Sequence, residues 1–107
     1  MVIQQYDIWL VNLDPTIGSE IQKTRPCVII SPQEMNRQLR TIQISPMTSN
    51  TRQYPWQIYT EFHEKKGAVA LDQIRCIDKR RLVKHLGALD LDSIQRLKKT
   101  LHEMLID

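Results

Sequence analysis

Short apolar runs, each cut off by proline, glycine or a charged stretch, fill this chain as far as residue 89, and one longer amphipathic segment follows. Ile8–Leu13 is dense in strand formers. Asp14-Pro15-Thr16 ends it, because proline cannot donate to a ladder and fixes its own φ. Arg25-Pro26 predicts a second boundary, and Cys27–Ser31 reads as a central strand buried on both faces. Arg40–Ser45 alternates polar and apolar residues, the period of a half-buried strand, with Pro46 as its stop. Thr48–Gln53 has no apolar anchor and reads as a loop. Trp56–Thr60 predicts a further strand and Glu61–Gly67 a charged turn. Ala68–Leu71 and Ile74–Ile77 read as strands on either side of Asp72-Gln73, Asp78–Leu82 as a helical turn, and Val83–Leu89 as a last strand around Gly87.

Two segments have helical character. Ser31-Pro32-Gln33-Glu34 predicts a short helix to about Gln38, with Ser31 as cap and Pro32 at the first helical position. The clearest helix follows Leu89, with Asp90 placed to cap it and Leu89 and Ile94 placed as a hydrophobic staple. Leu91, Ile94, Leu97, Leu101, Met104 and Leu105 recur at helical spacing, a stripe expected to face the core, with Lys98 and Lys99 outside it. The sum is mostly β with helices: a small, mostly antiparallel barrel or curled sheet.

At 107 residues one domain, 1–107, is expected. A hydrophobic fraction of 41% and a charged fraction of 25% are ordinary for a soluble globular protein. No run has the length of a membrane span, and no basic start with an apolar stretch marks a signal peptide. A cytoplasmic, reducing setting is therefore the default expectation. Cys27 and Cys76 lie in apolar runs and read as two buried, reduced thiols. No Cys-x-x-Cys is present, and His63, His85 and His102 are too scattered to suggest a metal site. The net charge of +3 permits a polyanionic partner without demanding one.

The run from Asp14 to Ile30 carries the most chemistry. It sets a hydroxyl, a carboxylate and a guanidinium in a short loop between two strands. A carboxylate near an always-charged arginine suits phosphodiester chemistry: one moves a proton, the other holds charge on phosphate oxygens. Spacing alone fits a surface hairpin with a solvated ion pair better, since short polar motifs recur by chance.

Ordered blocks along the chain go further. Asp7-Ile8-Trp9-Leu10-Val11, Leu13-Asp14-Pro15-Thr16, Gly18-Ser19-Glu20 and Thr24-Arg25-Pro26 resemble the N-terminal signature of MazF/PemK-type toxins. Ile30-Ser31-Pro32 with Asn36-Arg37, then Ser45-Pro46-Met47-Thr48-Ser49, resemble the segments that follow. Gly67–Arg75 and Ile77–Leu82 resemble the second signature block, so the resemblance covers nearly the whole chain. It implies an SH3-like small barrel of the CcdB/PemK type with a C-terminal α-helix, assembled as a homodimer. It further implies a type II toxin: a sequence-specific endoribonuclease that cuts single-stranded RNA, chiefly messenger RNA, with no metal or cofactor. A cognate MazE/PemI-like antitoxin would block it by laying an acidic tail across the RNA groove. By the same resemblance Arg25 and Thr48 are catalytic, Glu20 is a functional position, and Ser19, Asp72 and Gln73 line the groove.

Metal-free cleavage of this kind uses the neighbouring 2′-hydroxyl as nucleophile and leaves 2′,3′-cyclic phosphate and 5′-hydroxyl ends. Arg25 suits the non-bridging oxygens through its rigid bidentate charge, and Thr48 can donate to the same oxygens. Glu20 reads either as general base, or as a residue that orients Arg25 or reads a base. Tyr54, Trp56 and Tyr59 offer stacking faces, whereas Trp9 reads as core. Arg75, with Lys79, Arg80, Arg81 and Lys84, forms a basic cluster that serves either the phosphate backbone or only solvent. Two departures from the family pattern stand out: Ile21 and Lys23 replace the usual Gln and Gly, and Tyr6 stands where Gly is usual. Lys23 is expected to stiffen the loop. The alternative is a CcdB-like, non-enzymatic inhibitor of a protein target such as gyrase. It would act through the end of the C-terminal helix, where Met104-Leu105-Ile106-Asp107 offers no aromatic anchor.

Overall fold

A computed structural model of the chain describes residues 2–49 and 56–106. Among these, the chain runs β1 (Asp7–Asn12), β2 (Thr24–Ile29), α1 (Gln33–Gln38), β3 (Thr41–Thr48), β4 (Gln57–Phe62) and β5 (Lys65–Ala70). β6 (Arg75–Asp78), β7 (Leu82–Ala88) and α2 (Leu91–Leu105) complete it, with short 3-10 turns at Leu71–Gln73 and Lys79–Arg81. The pairing is antiparallel in the order β4-β5-β3-β2-β1-β7, with β6 also on β3. This is the mostly β, curled sheet with a C-terminal helix that the patterning predicts. No helix among the described residues is long and apolar enough to cross a membrane.

β3 is the hub of the sheet. It pairs β6 along Thr41–Ile44, then β5 along Met47–Thr48, while β2 runs along its other edge. Pro46, expected to end this strand, lies inside it. It occupies the changeover between the last β6 pair and the first β5 pair, where no ladder on that edge requires its missing N–H. Pro26, expected as a boundary, is likewise within β2, ahead of the first β2–β3 pair at Cys27. Ser45 Oγ closes the changeover by donating to Ala70 O at 2.6 Å.

Period-2 alternation sorts the apolar residues into two layers. Trp9, Val11, Cys27, Ile29, Ile42 and Ile44 share one layer with Ile77. Ile8, Val28, Met47 and Val69 face the other way, toward a layer closed by Leu97 of α2. The same alternation corrects one cysteine: Cys27 is buried, but Cys76 is exposed because its neighbour Ile77 takes the core position on β6.

Four local expectations also change. Ser31 does not cap α1; Pro32 occupies the cap with no side-chain bond. Ser31 Oγ instead donates to Asn36 Oδ1 at 2.5 Å and accepts from Gln43 N at 3.1 Å, which ties the helix to β3. The charged stretch Glu61–Gly67 is nearly all strand. β4 and β5 pair down to Phe62 and Lys65, leaving a two-residue turn, His63-Glu64, with φ of 51° and 64°. That backbone is usually filled by Asn-Gly, so the sequence carries no turn signal there. Trp56 precedes β4 rather than joining it, and is 43% exposed. On α2, Asp90 caps the helix by accepting Ser93 N–H at 3.0 Å, as expected. Ile94, Leu97, Leu101 and Met104 pack inward, but Leu91 and Leu105 are exposed. They stand at the two ends of the helix.

Candidate active site

The loop between β1 and β2 is shaped by side chains from elsewhere. Leu13 N donates to Lys23 O at 3.0 Å, and Lys23 N donates to Asp14 Oδ1 at 3.0 Å, which closes its base. Ile21 N donates to Gln73 Oε1 at 2.6 Å, and Arg75 Nη1 donates to Leu13 O at 3.1 Å. Arg81 Nη1 donates to Asn12 O at 3.2 Å and also to Asp14 O. Lys23 and Tyr6, the two positions where the resembled family usually has glycine, have φ of 72° and 71°. Both thus hold a left-handed backbone without being the residue that adopts it freely.

These tethers bring Ser19, Glu20, Asp72, Gln73 and Arg75 onto one open cleft of about 450 Å³, which Pro46 also lines. Arg25, from β2, and Thr48, from the end of β3, line a second cleft of about 320 Å³. Met47 and Thr48 directly follow Pro46, so the two clefts lie along one strand end. Arg25 Nε donates to Gln22 O at 2.8 Å, which holds the guanidinium and leaves its terminal amino groups without a protein partner among the described residues. Glu20 does not pair with Arg25; its Oε1 accepts the Ile17 N–H at 2.6 Å, within the loop. β5 presses against Thr48: a Cβ added at Gly67 would come within 2.8 Å of Thr48 O. Beneath the site, burial lifts the Cys27 thiol from an ordinary value near 9 to about 12, with the charges of Arg75 and Arg25 pulling the other way.

The other candidates are dispersed. Trp9 is core, Tyr59 lines a shallow hollow with Thr60 and Lys66, and Tyr54 lies outside the described residues, as does most of the loop expected at Thr48–Gln53. The basic cluster is partly engaged in structure: Lys79 Nζ donates to Asn36 O, and Arg80 pairs with Asp78 at 3.1 Å. Hydrogen bonds from Arg80 hold the Asp78 carboxyl below the usual carboxylate range. Among the described residues no three His, Cys, Asp or Glu side chains gather as a metal site requires. Four residues that sequence reasoning left aside also line the Arg25 cleft: Phe62, His63, Lys65 and Lys66. Their signal is an aromatic pair, Phe62-His63, separated by Glu64 from two lysines, all inside the stretch that reads as a charged turn.

Fold and site together define a small, curled antiparallel sheet with a helix laid over one face and open polar clefts along one strand end. The chain belongs to the PemK-like, MazF-like toxins of type II toxin–antitoxin systems, whose family model matches residues 4–105. Endoribonuclease PemK of Escherichia coli is 37% identical over 81 residues, covering 71% of this chain and 61% of that protein. The chain thus spans under two thirds of that relative's length. The crystal structure of MazF from Deinococcus radiodurans superposes with a TM-score of 0.87 at 26% identity, over 98% of this chain and 97% of that one. A MazE–MazF structure from the same organism superposes at 0.78 and 26% identity, over 98% and 96%.

Proposed function

We propose that this protein is the toxin of a type II pair and a sequence-specific, metal-independent endoribonuclease acting on single-stranded RNA, chiefly messenger RNA. The observation that carries this reading is that Arg25 and Thr48, from different strands, open onto one cleft, with the Arg25 terminal amino groups unengaged among the described residues. A phosphate seated there meets a planar bidentate cation and a hydroxyl donor. As the 2′-hydroxyl attacks, negative charge builds on the non-bridging oxygens, and these two groups stabilise it. Glu20 lies on the neighbouring cleft with Ser19, Asp72 and Gln73, and one of its oxygens is committed to the loop. That placement suits a residue that reads or orients the substrate better than one that takes the proton. Arg75, which both pins the loop and lines this cleft, adds positive charge for the RNA backbone.

The MazE–MazF relative supports a cognate antitoxin as the partner, one whose acidic extended segment competes with RNA for Arg25 and Arg75. A homodimer is the proposed working form, to be checked by sedimentation of the purified protein. The decisive experiment is cleavage of a long single-stranded RNA in EDTA by wild type and Arg25→Ala. Discrete cuts with cyclic-phosphate and 5′-hydroxyl ends are expected, slowed by about 10²–10³ in the variant. If folded, antitoxin-free wild type cuts no RNA, the nuclease reading fails and a protein target takes its place.

A further inference from the structure

Resting on the ribonuclease reading above, we propose that Phe62 and His63 form a stacking platform for an unpaired nucleobase, next to the phosphate held at Arg25 and Thr48. The two rings stack at 3.9 Å between centroids with 20° between planes, and both line the cleft of Arg25 and Thr48. His63 is exposed while Phe62 is half-buried, so the pair offers its open side at His63. Phe62 is backed by Gly87, where an added Cβ would lie 3.1 Å from the ring. A side chain at that glycine would make the ring give by a few tenths of an ångström.

The backbone beneath the platform is unusual. His63 and Glu64 hold φ of 51° and 64° in a two-residue hairpin turn that Asn-Gly would adopt without strain. Strain of this kind persists where the surrounding structure over-determines it, and it clusters at ligand-gripping sites. Lys65 and Lys66 follow directly and line the same cleft, so positive charge stands beside the aromatic faces. Aromatic faces interleaved with cations are what single-strand binding uses: every base has a π-face to stack and every nucleotide a phosphate to neutralise. Because stacking acts through ring area, any flat aromatic ring at residue 63 serves. A proton donor or acceptor there would need an imidazole.

Two substitutions separate these roles. His63→Asn tolerates the left-handed turn but removes the ring, and His63→Phe keeps a ring but cannot exchange a proton and fits that turn less well. Each is made in the full chain carrying Arg25→Ala, so that RNA is bound and not cut. Binding is then read by fluorescence anisotropy with labelled, unpaired random-sequence RNA of about 12 nucleotides, a length suited to single-strand sites. His63→Asn is expected to weaken binding about tenfold, with His63→Phe recovering most of that loss. In the protein with Arg25 intact, His63→Asn raises KM with kcat little changed, and His63→Phe brings KM back toward the wild-type value. Unaltered binding by His63→Asn, or a loss of kcat shared by both variants with KM unchanged, overturns the platform while leaving the nuclease reading standing. A wild type that neither binds nor cuts RNA overturns the nuclease reading and the platform with it.

Discussion

Cys27 and Cys76 occupy similar apolar runs in the sequence, yet one is enclosed and the other faces water. Native protein treated with iodoacetamide at pH 8 is expected to be alkylated at Cys76 and spared at Cys27, as read by peptide mass. The Cys27 thiol ionises at about 12 in the fold, against about 8.5 in an unfolded chain. Its contribution to stability is therefore full below the unfolded value and is lost as pH rises from there through the folded one. Cys27→Ala should flatten that alkaline loss in urea unfolding, whatever its cost at neutral pH. Gly67 makes a comparable point about position. With Thr48 O only 2.8 Å from where a Cβ would stand, Gly67→Ala must displace the backbone carrying Thr48. A cost of about 1–3 kcal/mol in unfolding is expected from such overpacking. RNA cleavage should fall by more than that stability loss explains, because the moved atom belongs to the proposed site.

At the scale of elements, the terminal helix was legible because its signals are local. The Asp90 cap and the 3.6-residue stripe need nothing beyond the segment itself. Hydrogen bonds from the Ser93 side chain and backbone hold the Asp90 carboxyl below its ordinary range. A depressed carboxylate contributes stability above its unfolded pKa and loses it as pH falls through the folded value. Asp90→Ala should thus cost about 1 kcal/mol at pH 7, a penalty for a lost cap. The gap from wild type should narrow when urea unfolding is repeated near pH 3. The β1–β2 loop was legible only in part. Its residues stand out by type, but its shape depends on Gln73 and Arg75, more than fifty positions away. The β4–β5 turn was not legible at all, because His-Glu carries no hairpin signature and its left-handed backbone is imposed by the pairing of the strands around it.

For the whole molecule, the mild positive charge becomes informative only once it is placed. Arg25, Lys65 and Lys66 share one cleft, whereas Arg80 and Lys79 are engaged elsewhere. If three cations meet phosphates, RNA affinity should fall by about ten- to twentyfold between 50 and 200 mM salt. Lys66→Ala should reduce the slope of log affinity against log salt by about 0.7. An unchanged slope would remove Lys66 from the RNA path. The hub role of β3 belongs to this scale as well. One strand serves β2, β5 and β6, and both clefts open along its end.

The sequence by itself determined the run of strands, the capped C-terminal helix, the family, and the residue types that the proposed chemistry needs. These rest on periodicity, local capping and ordered motifs, each contained within a short stretch of chain. Tertiary structure alone decided that two prolines lie inside strands: Pro46 sits at the switch of partners along β3, and Pro26 lies ahead of the first β2–β3 pair. It alone decided that Cys76 faces solvent, that Glu20 turns to its own loop rather than to Arg25, and that Phe62 and His63 stand beside the proposed scissile site. Each of these depends on contacts between residues far apart in the chain, and no local pattern encodes which distant strand will be the neighbour.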